Sequence, residues 1–205
     1  GRYPFRNNTW GPLGMRNPLI IETERLTLGR LMKEAGYATA CVGKWHLGFQ
    51  SKAPVDWNKP LKPGPLELGF DYYFGMPVVS SSPPYVYVEN HGVVGLTPDD
   101  PIVYGGKSDT PYYPEKTMTG ISGGKAAHAL FKDDEVGTTL KDKALAWIEK
   151  NKDRPFLLYL ATTNIHHPFA PAKRFVGSSE CGRYGDFIQE LDWIVGEVMA
   201  KLDSL

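Results

Sequence analysis

The chain has 205 residues, enough for one domain of the usual ~100–200 residues, and 41% of them are apolar, enough to bury a core. Lys plus Arg and Asp plus Glu each number 23, so the formal net charge is zero and the basic excess that a nucleic-acid surface needs is absent. No apolar run approaches the ~20 residues of a membrane span. The two cysteines, Cys41 and Cys181, have neither CxxC spacing nor the number for a disulfide framework. No signal peptide is visible and the first residue is Gly, so the start reads as cut or processed and leaves the compartment open.

Residues 1–21, rich in Arg, Asn, Gly and Pro, read as irregular. Leu28, Leu31, Met32 and Ala35 share one helical face, which predicts a helix over 27–36 with Thr27 as N-cap and Gly36 just past its end. Tyr37 to Val42 reads as a short buried strand closed by Gly43, and Phe70 to Phe74 as another. Between them lie Pro54, Pro60, Pro63 and Pro65, which exclude regular structure. Residues 76–132 form an irregular insert. Within it, Tyr85–Glu89 and Val93–Leu96 flank Asn90-His91-Gly92, a hairpin signal that leaves His91 at the surface.

Regularity returns at 134–151, where Leu140, Ala144, Trp147 and Ile148 form one helical face. Acidic residues open this helix and Lys150 closes it, as the helix dipole prefers. Phe156 to Ala161 is apolar throughout and predicts a strand buried on both faces. A last helix is expected over 184–202, with Asp186 and Asp192 as helix residues rather than ligands. Helix, strand, insert, helix, strand, helix is the alternation of an α/β protein, an αβα sandwich with a mainly parallel sheet, in one unit spanning 1–205.

In such sheets ligands bind beyond the carboxyl ends of the strands. The first strand runs into Gly43-Lys44-Trp45-His46, the later one into Thr162-Thr163-Asn164-Ile165-His166-His167-Pro168. If the strands are parallel, Lys44, His46 and one of His166 and His167 meet at one sheet edge. There they suit an anionic, oxygen-rich group and proton transfer near neutral pH. Loop cations that merely meet solvent would leave the same pattern.

Gly36 to Gly48, GYATACVGKWHLG, resembles the second signature of the formylglycine-dependent sulfatases of the alkaline phosphatase superfamily. Gly1-Arg2 is similar to the end of the Leu-x-Thr-Gly-Arg segment after the family's first signature. GFDYYFGMP (69–77) is similar to the segment leading to a substrate-side serine. His166-His167-Pro168, with Gly182–Asp186 and Glu190-Leu191-Asp192, resembles the His-x-Pro strand end and its following helix. The resemblance covers nearly the whole chain, least at 81–132. It implies a truncated N-terminal sulfatase domain and hydrolysis of a sulfate ester, either an aryl sulfate or a sulfated sugar.

Residue by residue, the resemblance implies that Lys44 contacts sulfate and formylglycine, and that His46 hydrogen-bonds the formylglycine hydroxyls and helps expel sulfate. His166 would face the leaving-group oxygen, with His167 as the rival assignment. Because His167 precedes Pro168, the two rings are expected on opposite sides. Ser80 is matched to the substrate-side serine, although the register puts Val79 on that position. The nucleophile's Cys/Ser-x-Pro-Ser-Arg run does not occur in this sequence, and neither Cys41 nor Cys181 can replace it. The four Asp and Asn that hold the family's Ca²⁺ have no counterpart here. Ca²⁺ is therefore expected in the full-length parent and no metal on this chain. The Asp99-Asp100 pair between two prolines reads as a turn.

The chain alone is accordingly expected to be inactive. The resemblance admits periplasmic, extracellular or lysosomal settings, and a sheet lacking neighbouring strands would expose edges for self-association. Two rival readings stand beside this one. The first is a phosphatase or phosphodiesterase of the same superfamily. The second is a non-catalytic remnant serving as a binding or structural module.

Overall fold

A computed structural model describes residues 2–104 and 121–205. Helix α1 (Leu28–Glu34) begins where the Thr27 hydroxyl accepts the Arg30 N–H at 3.1 Å, the N-cap expected from sequence. Strand β1 (Ala38–Gly43) follows, then β2 (Tyr72–Gly75), β3 (Val88–Glu89) and β4 (Gly92–Val93). A separate antiparallel pair, β5 (Val103–Tyr104) and β6 (Ile121–Ser122), precedes the short α2 (Lys125–Ala129). Helix α3 (Val136–Asn151), strand β7 (Phe156–Ala161) and helix α4 (Gly182–Asp203) complete the chain.

The main sheet has the order β4-β3-β2-β1-β7. Strands β2, β1 and β7 are parallel, with Ala40 opposite both Tyr72 and Leu158, while β3 and β4 are antiparallel. The period-2 alternation of strands sorts the side chains between two faces. Ala38, Ala40, Val42 and Phe74 pack beneath Leu140, Ala144, Trp147 and Ile148 of α3, the stripe read from sequence. Cys41 and Tyr73 point the other way, into a cluster built from Trp45, Phe49, Trp57, Leu61 and Leu68. Burial pushes the Cys41 thiol up to about 12, so it is an inert core residue.

Two expectations change in detail. β7 is an edge strand, paired only to β1 among the described residues. Tyr159 is 51% exposed, because an all-apolar run reports burial in the whole fold and not which neighbours are present. Leu28 and Leu31 of α1 face outward, and the side that meets the fold is Gly29, whose missing side chain lets the helix close on the Leu68–Gly69 backbone. The described part of 76–132 is irregular but packed, since Val86, Val88, Ile102, Ile121 and Ala127 all enter the core.

Candidate functional site

The tips of the parallel strands come together because two glycines remove the side chains that would hold them apart. A β-carbon on Gly75 would run into the Gly43 carbonyl, and one on Gly43 into the Ala161 carbonyl. Gly43 also has φ of 123°, a conformation that side-chain-bearing residues rarely adopt. Beyond this point the chain is tied down on both sides. The Lys44 N–H donates to Ala161 at 2.8 Å, joining β1 to β7, and the Trp45 and His46 N–H groups donate to Met76 and Pro77 at 3.0 Å each. Trp45 turns inward, its indole N–H on the Gly48 carbonyl at 2.8 Å. Lys44 and His46 remain half-buried at the strand tip.

His46 has φ of 57°, left-handed for a residue with a side chain, which is strain of about 1–3 kcal/mol that surrounding structure must hold. One restraint comes from the N-terminal segment. Leu19 and Ile20 donate to the Gln50 and Leu47 carbonyls at 2.9 and 3.1 Å, so this segment runs along the 47–50 loop and brings the Leu13 carbonyl to 2.8 Å from His46 Nε2. A carbonyl only accepts, so Nε2 carries the proton and Nδ1 is the free nitrogen. A small cavity beside the ring is lined by Leu13, Met15, Phe49, Trp57 and Val78.

These surroundings set the electrostatics. Burial holds the His46 imidazolium below its ordinary pKa, and the positive charges of Lys44 and His166 push it the same way, against the Leu13 hydrogen bond. Lys44 is also lowered, by burial, and among the described residues no carboxylate neutralises it. His46 is therefore within electrostatic reach of both Lys44 and His166, although His166 arrives from a different strand.

The loop after β7 turns where the His166 N–H meets the Thr163 carbonyl at 2.9 Å. His166 and His167 do not diverge as expected. Their rings lie 4.5 Å apart at a tilt of 30°, because His166 Nδ1 donates to the His167 carbonyl at 2.6 Å and folds one ring beside the other. That bond leaves His166 Nε2 free. Both rings are exposed, and His166 is the one in electrostatic reach of His46. Ser80 lies three residues beyond Pro77, buried with Val79 in the segment leaving β2.

The remaining polar residues take structural parts. His91 sits in the β3–β4 turn, 3.0 Å from Glu67. Asp186 accepts the Gly177 and Ser179 N–H groups at 2.9 and 2.8 Å, fixing the entry to α4, and Asp192 is exposed on that helix. Asp100 accepts the Lys125 N–H at 2.6 Å, within the turn expected at 97–101. Among the described residues no group of three or more His, Cys, Asp or Glu gathers as a metal site, so these residues do not fit the family's calcium.

Sequence reasoning missed two contributors. The Leu13 carbonyl lies in an aperiodic segment that offered no signal. Glu190 did offer one, being a lone carboxylate in the apolar helical series Phe187, Leu191, Ile194.

The sulfatase family model matches residues 3–205, and the chain belongs to that family. It is 38% identical over its full length to an N-acetylgalactosamine-6-O-sulfatase of Bacteroides thetaiotaomicron, of which it covers 44%. Mouse steryl-sulfatase is 29% identical over the full chain, which covers 39% of that protein. A solved structure from work on glycosaminoglycan metabolism by B. thetaiotaomicron superimposes with a TM-score of 0.91 at 38% identity, covering 99% of this chain and 47% of that one. A Pseudoalteromonas sulfatase structure, at 0.65 and 22% identity, shares the fold. The chain thus spans less than half the length of these relatives.

Proposed function

We propose that this chain is the part of a sulfuric ester hydrolase that grips the sulfate and serves the leaving group. What carries the reading is that His46, beyond the joined tips of β1 and β7, lies within electrostatic reach of both Lys44 and His166. The Lys44 ammonium neutralises sulfate oxygens as charge develops. His46, held through Nε2, presents Nδ1 to accept or return a proton on the nucleophile's side. His166, acting as the imidazolium, gives its Nε2 proton to the ester oxygen as the S–O bond breaks and keeps the Nδ1 proton held by the His167 carbonyl, so that the alcohol leaves neutral. Ser80 and His167 border the substrate. The sequence has no Cys/Ser-x-Pro-Ser-Arg run, so the nucleophile is not among its residues, and no step is assigned to calcium.

The relative named for N-acetylgalactosamine 6-sulfate favours a sulfated amino sugar over an aryl sulfate as substrate. The 205-residue chain alone is expected to turn over neither. A longer form carrying the nucleophile should release sulfate from 6-sulfated N-acetylgalactosamine. In that form Lys44→Ala, His46→Ala or His166→Ala should each lower kcat/KM by about 10²–10⁴. Turnover by the chain alone at the longer form's rate, or full activity in all three variants, would overturn the proposal.

A further inference from the structure

The loop 162–172 holds both histidines at its exposed middle, and its start is tied to one buried carboxylate. Glu190 is 1% exposed on α4. Its Oε2 accepts from Asn164 Nδ2 at 3.1 Å, and the same Asn164 amide donates to the Phe187 carbonyl at 3.2 Å, which fixes the start of the loop to one turn of α4. Room for the carboxylate is cut into α3, where a β-carbon on Gly137 would approach Glu190 Oε1 to 2.9 Å. Three elements are thus shaped around one acidic side chain. Of the charges around it, Arg174 favours its charged form and Asp134 opposes it.

Burying a carboxylate is costly, and this one retains an oxygen, Oε1, without a hydrogen-bond partner. A residue serving only to fill space between α3 and α4 would do better as Leu or Met, like its stripe neighbours. What an apolar side chain could not do is accept the Asn164 amide and hold it to α4.

We infer that Glu190 is a positioning residue: through Asn164 it clamps the start of the 162–172 loop to α4 and so sets where His166 stands relative to His46 and Lys44. The inference rests on the reading of His166 as the leaving-group histidine, but the clamp itself is read out separately.

The experiment is NMR on the full chain, comparing Glu190→Ala, Asn164→Ala and the double variant. Backbone relaxation and amide exchange of 163–172 report the clamp, and the His46 titration reports the proximity of His166. Each single variant should loosen the loop and raise the His46 pKa, because the opposing His166 charge moves off, while amide protection in the middle of α3 and α4 stays unchanged. The double variant should be no worse than the worse single one, as expected for two halves of one device. Asn164→Ala leaves the helix interface intact, so it decides the matter if Glu190→Ala does not fold. An ordered loop and an unshifted His46 in Asn164→Ala, or equal loss of protection throughout α3 and α4, would overturn the clamp. Normal clamp behaviour with no response of His166 to added sulfate would leave the clamp standing and sink the sulfatase role of that histidine.

Discussion

At the scale of single residues the site is organised by protons. Carbonyl groups fix which nitrogen of each imidazole is protonated: the Leu13 carbonyl takes the Nε2 proton of His46, and the His167 carbonyl takes the Nδ1 proton of His166. The two free nitrogens are therefore different atoms on the two rings, which suits a site with one task on each side of a bound ester. His46 is kept neutral by burial first and by the Lys44 and His166 charges after it. The native state then binds fewer protons than the unfolded chain as pH falls past ~6.5, so this group's contribution to stability is present above that pH and lost on acidification. Lys44→Met should raise the His46 pKa part of the way towards its ordinary value, since burial remains. It should also flatten the acid side of the stability curve. Histidine NMR titration beside thermal melts at pH 5–8 checks this, and a His46 pKa unmoved in Lys44→Met would show that the two groups are not neighbours in solution.

At the scale of elements, the unfinished surfaces are informative. The outer edge of β7 has no partner among the described residues, and Tyr159 stands out from its face. Tyr184, Ile188, Val195, Met199 and Leu202 run as an exposed apolar stripe along α4. An open strand edge beside an apolar stripe favours association. The chain should accordingly self-associate as concentration rises, and Ile188→Lys with Val195→Lys should reduce this without unfolding α4. Light scattering giving a stable monomer of 22.8 kDa at every concentration would contradict it. The same elements show what was legible in sequence. The α3 stripe, the β1 and β7 spans and the Thr27 cap follow from periodicity and capping chemistry, which are local. That β7 lies at an edge, and that α1 turns Gly29 rather than Leu28 inward, depends on neighbours far along the chain, which periodicity does not report.

At the scale of the molecule, topology makes the site. His46 and His166 are 120 positions apart and come within electrostatic reach because β1 and β7 are parallel neighbours in register, Gly43 opposite Ala161. Strand ends rich in Lys and His pointed to a candidate place, and the GKWHLG run pointed to the sulfatase family. The Leu13 support and the paired rings of His166 and His167 came from long-range or backbone contacts that sequence patterns do not encode. The most direct test is to titrate the chain with inorganic sulfate while following the imidazole resonances of His46 and His166. The account predicts that both shift with one common midpoint and that Lys44→Ala abolishes the response of both. Shifts with unrelated midpoints, or none at either ring, would contradict it.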